Sequence, residues 1–206
     1  MKIEKIEKSK RKQGRILVFL EGGDLLKITE DELLRFDLFT GLDISPDTVL
    51  QLKKCAAASE TRQRAAGMIA ARPLSRKELS KRLRDKGAEE TDAEAAADWL
   101  ENIGALDDLA YAKTLVRYYT GRGCGEAKLR DELRRRGVPR ELWEEALDTA
   151  PPPEETIERL LSARLRGRTP DEAEYRKLSG FLLRRGFAWR DVKAALSALG
   201  AEVEED

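Results

Sequence analysis

The sequence predicts a mainly α protein in which three tandem three-helix repeats form an elongated, curved array, preceded by a small N-terminal module containing a β-hairpin. Three observations carry this expectation. A pair of leucines four apart, followed by a glycine four further on, occurs as Leu79, Leu83, Gly87, again as Leu129, Leu133, Gly137, and again as Leu178, Leu182, Gly186. The three glycines stand 50 and 49 residues apart, and Lys86, Arg136 or Arg185 precedes each. Residues 1–54 lack this pattern and hold the β-branched and aromatic run Arg15-Ile16-Leu17-Val18-Phe19-Leu20.

The repeated pattern reads as a short amphipathic helix. Leucines four apart lie one above the other on one face, and the glycine can take the left-handed conformation that stops the helix. The basic residue before the glycine offsets the negative carbonyl end. Three copies at nearly constant spacing point to a repeated supersecondary unit.

In chain order, Lys2 to Lys8 offers a strand through Ile3 and Ile6, with poor alternation. Residues 15–20 and 25–28, joined by Glu21-Gly22-Gly23-Asp24, read as a hairpin. Thr29 to Glu32 forms a capping box opening a short helix with Leu33, Leu34 and Phe36 inward, and Ser45-Pro46 opens another. A helical pattern runs from Thr48 to Ala71 and stops before Pro73. Ser75 to Glu78 is a capping box for the first repeated helix, and Thr91 to Glu94 is one for the next, with Ala95, Trp99, Leu100 and Ile103 apolar.

The second unit starts near Asp107-Asp108, runs through Tyr111, Leu115 and Tyr118, breaks at residues 121–125 and resumes at Glu126. Pro139 is placed at the first position of its third helix, Arg140 to Thr149, with Leu142, Trp143 and Leu147 apolar. Pro151-Pro152-Pro153 marks a stiff boundary. The third unit has Ile157, Leu160, Leu161 and Leu165 in its first helix, a cap at Thr169 to Glu172, and Val192, Leu196 and Leu199 after Phe187 and Trp189. Glu202, Glu204, Glu205 and Asp206 form an acidic tail. The expected segments are thus 1–54, 55–106, 107–150, 151–201 and the tail 202–206.

The 206 residues carry 39 Lys+Arg and 39 Asp+Glu, so net charge names no partner, and the distribution must be read instead. With 38% charged and 6% aromatic residues, the composition suits a soluble helical protein with many solvent-facing charges. No apolar run approaches a membrane span, and the charged N-terminus has no apolar segment behind it, so the cytoplasm is the expected location. The absence of histidine removes Ser-His-Asp and Cys-His catalysis and Cys/His zinc sites together. No cofactor or metal is expected.

Charge is organised along the repeats. On a helical wheel Lys77, Lys81 and Arg84 fall opposite the apolar stripe of the first repeated helix. Arg134 points outward with Arg130 to the side and Arg135 beside them in the second, and Arg176 points outward with Arg184 at the flank in the third. These eight residues are the candidate binding surface. The run reads either as a solvated face with intrahelical ion pairs or as a periodic stripe for phosphates or an acidic protein groove. Gly121-x-Gly123-x-Gly125 joins two helices without a preceding strand or a Gly-Lys-Ser/Thr ending, so it reads as a flexible connector and not a phosphate cradle. Cys124 shows no sign of an activated thiol, and Asp107-Asp108 reads as a cap and dipole pair.

Arg72-Pro73-x-Ser75-x-x-Glu78-Leu79, Leu106-Asp107-Asp108-x-x-Tyr111-Ala112, Glu132-Leu133-x-x-x-Gly137-Val138 and Lys177-Leu178-x-x-x-Leu182-x-x-Arg185-Gly186-Phe187, in this order, resemble the RecX family of regulators of the RecA recombinase. The likeness covers roughly residues 56 to 200, and Ala188 departs from it where a capping serine is common. The resemblance implies a non-enzymatic regulator that lodges in the groove of the RecA filament and restrains ATP hydrolysis, strand exchange and filament growth. It implies the RecA filament as partner, with single- or double-stranded DNA bound weakly by the chain alone, no membrane, and a monomer. The competing expectation is a DNA-binding protein whose tandem three-helix units resemble helix-turn-helix modules and have no RecA specificity.

Overall fold

The computed structural model describes residues 1–10 and 14–199; the expected acidic tail, 202–206, lies outside the described residues. Ten α-helices follow three strands among the described residues, so the protein is mainly helical behind a small sheet. Two compact units divide them, one formed by Met1–Arg72 with Leu79–Ala105 and the other by Pro73–Glu78 with the chain from Leu106 onward.

In the first unit β1 (Ile3–Lys8), β2 (Arg15–Leu20) and β3 (Leu25–Thr29) pair antiparallel in the order β1-β2-β3. The poor alternation of the first strand has a geometric cause. A bulge between Ile3 and Lys5 shifts the register, so Ile3 pairs with Leu20 and Lys5 with Phe19, and Ile3 and Ile6, three apart, both meet the core. Ile16, Val18, Leu20, Leu26 and Ile28 complete that face and pack with Val49 and Leu52 of the long helix α2 (Pro46–Ala71).

Thr29 caps the short helix α1 (Glu30–Arg35) in a capping box: Glu32 N–H donates to Thr29 Oγ1, and Thr29 N–H donates to Glu32 Oε2. The other oxygen of the buried Glu32 accepts from Ser59 on α2 at 2.6 Å. Leu33 and Phe36 pack on the core as the sequence suggests, whereas Leu34 is 77% exposed. Consecutive helical residues point about 100° apart, so Leu34 turns away from the face that Leu33 presents to the core.

The repeated helices are α3 (Arg76–Asp85), α6 (Glu126–Arg135) and α9 (Glu172–Arg184). All six patterned leucines are at most 4% exposed, and Gly87, Gly137 and Gly186 take φ of +86°, +71° and +87°. A residue with a Cβ is strained there, which is why glycine recurs.

Helix α4 (Glu90–Asn102) starts one residue before Thr91, with Glu89 at its cap and no side-chain cap bond, so the capping box expected at Thr91 does not form. Its buried face is Ala93, Ala96, Ala97 and Leu100, while Ile103 is 57% exposed. Small alanines let α4 approach α2 closely, a role that large-residue patterning does not reveal.

In the second unit Asp107 caps α5 (Asp108–Gly121) through Ala110 N–H at 2.9 Å. Tyr111, Ala112, Leu115 and Val116 pack with Leu129, Leu133, Val138, Trp143 and Ala146. The indole N–H of Trp143 donates to Val138 O at 3.0 Å, so its burial leaves no polar atom unpaired. Pro139 sits before a 3-10 turn (Arg140–Leu142) leading into a short α7 (Trp143–Leu147), and the helix expected over Arg140 to Thr149 is split accordingly.

Pro153 opens α8 (Pro153–Leu165), and Ile157, Leu161 and Leu165 pack with Leu178, Leu182, Phe187, Val192 and Leu196 of α9 and α10 (Trp189–Ala198). The cap of α9 is Asp171, accepting from Glu174 N–H at 2.7 Å, two residues later than the cap read at Thr169. Ala188 caps α10 without a side-chain bond. Ala188→Ser should therefore raise unfolding free energy by about 1 kcal/mol, a gain that urea unfolding would read directly.

Candidate protein and nucleic-acid interface

The eight candidate cations do not share one environment. Lys77 and Lys81 on α3 are exposed and, among the described residues, bond no carboxylate. The stem of Lys77 lies across the turn at Gly137, where an added Cβ would meet its methylenes at 3.0–3.2 Å. Arg84 pairs with Glu90 at 2.7 Å.

On α6, Arg130 is held from two sides. Its Nη atoms donate to both oxygens of Glu144 at 2.8 and 3.0 Å, and Nε donates to Glu126 at 2.7 Å. These bonds, Glu144's first, hold its proton more firmly than an ordinary guanidinium does, and in return Glu144 stays below the usual carboxylate range. Arg134 pairs with Asp131 one turn back. Arg135 pairs with Glu132 and also reaches the Tyr119 hydroxyl at 3.4 Å. Burial pushes the Glu132 carboxyl up, but hydrogen bonds from Arg135 and Tyr119 outweigh it and leave the group below its ordinary value. Arg176 pairs with Glu172 at 2.7 Å. Arg184 is exposed and bonds no carboxylate among the described residues.

Such exposed pairs contribute little to stability, typically under about 1 kcal/mol each, but they neutralise the cation that a partner would see. Lys77, Lys81 and Arg184 therefore keep an uncompensated charge, while the other five are spoken for inside the chain.

Two junctions repeat one arrangement. Ser75, fully buried, accepts from Glu78 N–H at 3.1 Å at the start of α3 and donates to Arg136 O at 2.5 Å, the carbonyl just before Gly137. At the start of α6, Gly125 N–H donates to Arg185 O at 2.8 Å and Ala127 N–H to Gly186 O at 3.1 Å. In each case the glycine turn that ends one repeated helix meets the first turn of the repeated helix before it. Carbonyls left open at a helix end thus find donors at a helix start. A third acceptor of this kind, Lys86 O, is taken by Arg64 of α2 at 3.0 Å.

These junctions correct two readings. The Gly121 to Gly125 segment is a packed joint, not a flexible connector: a Cβ on Gly125 would stand 2.4–2.5 Å from backbone atoms of Gly186 and Phe187. Asp107 is a cap as expected, but Asp108 accepts from Arg76 N–H at 2.7 Å and so ties α5 to the start of α3. Among the described residues no group of His, Cys, Asp and Glu could hold a metal ion, and no helix is long and apolar enough to cross a membrane.

Comparison with known proteins agrees with this architecture. Family models described as the first, second and third three-helix domains of RecX match residues 62–100, 107–147 and 153–196. The regulatory protein RecX of Streptococcus uberis is 28% identical over all of this chain and 80% of its own length. That of Vibrio parahaemolyticus is 32% identical over 70% of this chain and 95% of its own. A crystal structure of regulatory protein RecX aligns with a TM-score of 0.75 at 23% identity, over 95% of this chain and 98% of its own, and RecX from Lactobacillus salivarius aligns with 0.61 at 20% identity, over 70% and 97%. At such identities the structural likeness speaks for the fold.

Proposed function

This chain belongs to the RecX family of regulatory proteins, and from that premise we propose that it binds the RecA nucleoprotein filament and restrains RecA's ATPase, strand exchange and filament extension. Contact runs through the cationic side of the repeats, foremost Lys77 and Lys81. The observation that carries the choice of face is their exposure without a carboxylate partner, on a helix whose opposite side is fully buried through Leu79 and Leu83. Cations left open on a rigid element complement an acidic protein surface or DNA phosphates without first breaking an internal pair.

Adding the chain to preformed RecA filaments on single-stranded DNA should lower DNA-dependent ATP hydrolysis in a saturable way. The same chain should decorate or shorten those filaments in electron micrographs. Unchanged hydrolysis and bare filaments of unchanged length would refute the proposal. Tight DNA binding with identical effects on an unrelated DNA-dependent ATPase would support a DNA-binding protein without RecA specificity instead.

A further inference from the structure

Between the second and third repeats, inside the second compact unit, a cleft of about 630 Å³ lies beside the Pro151-Pro152-Pro153 boundary. The first turn of α6, the end of α7, the start of α8 and the turn into α10 line it. Its volume falls within the range of about 300–1,000 Å³ that small-molecule sites occupy. Leu147, Pro152 and Phe187 give it apolar walls. Its charged lining sets four carboxylates, Glu126, Glu144, Asp148 and Asp191, against the single guanidinium of Arg130.

Three polar side chains of the lining, Asp191, Thr156 and Thr120, are each more than nine-tenths buried. Asp191 stands in the first turn of α10, where its Oδ1 accepts from Nε of the exposed Arg190 at 3.2 Å. Its other oxygen bonds nothing among the described residues, and neither do the hydroxyls of Thr156 and Thr120. A buried acceptor without a donor costs free energy, which a bound donor would recover.

The lining selects the ligand. A carboxylate can only accept, whereas a primary ammonium brings three donors and a positive charge. Among the described residues no group of His, Cys, Asp and Glu could hold a metal ion, so an organic cation fits where a metal does not. Arg130 is no obstacle: its Nη atoms engage Glu144 and its Nε engages Glu126, which leaves that trio with one negative charge in excess. Asp148 is exposed and bonds nothing among the described residues. Asp191, Asp148 and the trio together present three negative charges around apolar walls, a pattern that suits ammonium groups spaced along an aliphatic chain. We propose that this cleft is a binding site for a free aliphatic polyamine, with a terminal ammonium on Asp191 and the Thr156 hydroxyl. The site needs neither RecA nor DNA and uses neither Lys77 nor Lys81, so it stands or falls independently of the regulatory reading.

Isothermal titration calorimetry of spermidine into the full chain, without nucleic acid, tests it. Wild type should take up one equivalent in a saturable way. Asp191→Asn keeps the shape and removes the charge, and should weaken binding roughly tenfold; Thr156→Val should weaken it roughly threefold. Glu158→Gln, on α8 but outside the cleft, should leave the affinity unchanged. Unchanged affinity in an Asp191→Asn chain that melts like wild type would overturn the proposal, as would an equal loss in Glu158→Gln. Should Asp191→Asn melt early, amide chemical shifts of the wild type decide. Changes on adding spermidine centred on residues 125–130, 147–156 and 186–191 support the site, and changes spread over the acidic surface overturn it. Equal affinity for magnesium would overturn the assignment to an organic cation, and equal affinity for a lysine-rich peptide would overturn the assignment to a free polyamine.

Discussion

Gly125→Ala should loosen the joint between the second and third repeats and cost the chain about 3 kcal/mol. The φ of Gly125 is −85°, so alanine itself is unstrained there and the cost comes entirely from its neighbours. A Cβ would stand 2.4 Å from Phe187 N and 2.5 Å from Gly186 C and O. Those atoms are backbone and cannot rotate aside, so the turn between α9 and α10 must back away. With it go the bonds from Gly125 N–H to Arg185 O and from Ala127 N–H to Gly186 O, each contributing about 1 kcal/mol. Overpacking of this kind adds about 1–3 kcal/mol. Gly121→Ala is the matched control: an added Cβ meets nothing within 4 Å, and the residue ends α5. That variant should be neutral or slightly stabilised. Urea unfolding reads the difference, and amide exchange should show protection lost at residues 125 and 127. A Gly125→Ala chain with wild-type stability and exchange would show that the joint is not close-packed in solution.

Reversing charge on α3 should have the largest effect on regulation. Lys77→Glu with Lys81→Glu replaces two uncompensated cations by two anions on the exposed side of one helix. Like charges opposed across an interface cost several kcal/mol, so inhibition of RecA's DNA-dependent ATPase should weaken by roughly a hundredfold or more at low salt, and less as salt rises. Stability should change little, by no more than about 1 kcal/mol, since only the stem of Lys77 packs, against the turn at Gly137. Arg134→Glu provides the comparison. That guanidinium is already matched to Asp131, so its reversal should matter less. Inhibition by the double variant equal to wild type would remove the α3 face from the mechanism.

Sequence patterning captured what periodicity encodes. The buried leucine pairs, the left-handed glycines, the hairpin and the caps at Thr29, Ser45, Ser75 and Asp107 all follow from local chemistry, and each is present. What local chemistry omits is what arrives from far along the chain. Asp108 reads as a dipole partner because its partner, Arg76, is 32 residues away. Gly125 reads as a loop glycine because the backbone that forbids a side chain there comes from residues 186 and 187. The wheel put Arg130 at the side of α6, but only the fold brings Glu144 to it. In α4 the misreading was of size: alanines, not Ile103, make the buried face.

The two joints at Ser75 and Gly125 also set how such a chain can grow. Among the described residues the middle repeat carries both halves of the coupling, a donor-bearing start at Gly125 and an accepting carbonyl at Arg136. At one extremity Arg64 already occupies Lys86 O, and at the other the Asp171 side chain accepts from Glu174 N–H within its own helix. Internal duplication of the middle module would therefore leave both couplings matched, since each copy brings a donor-bearing start and an accepting carbonyl to its neighbours.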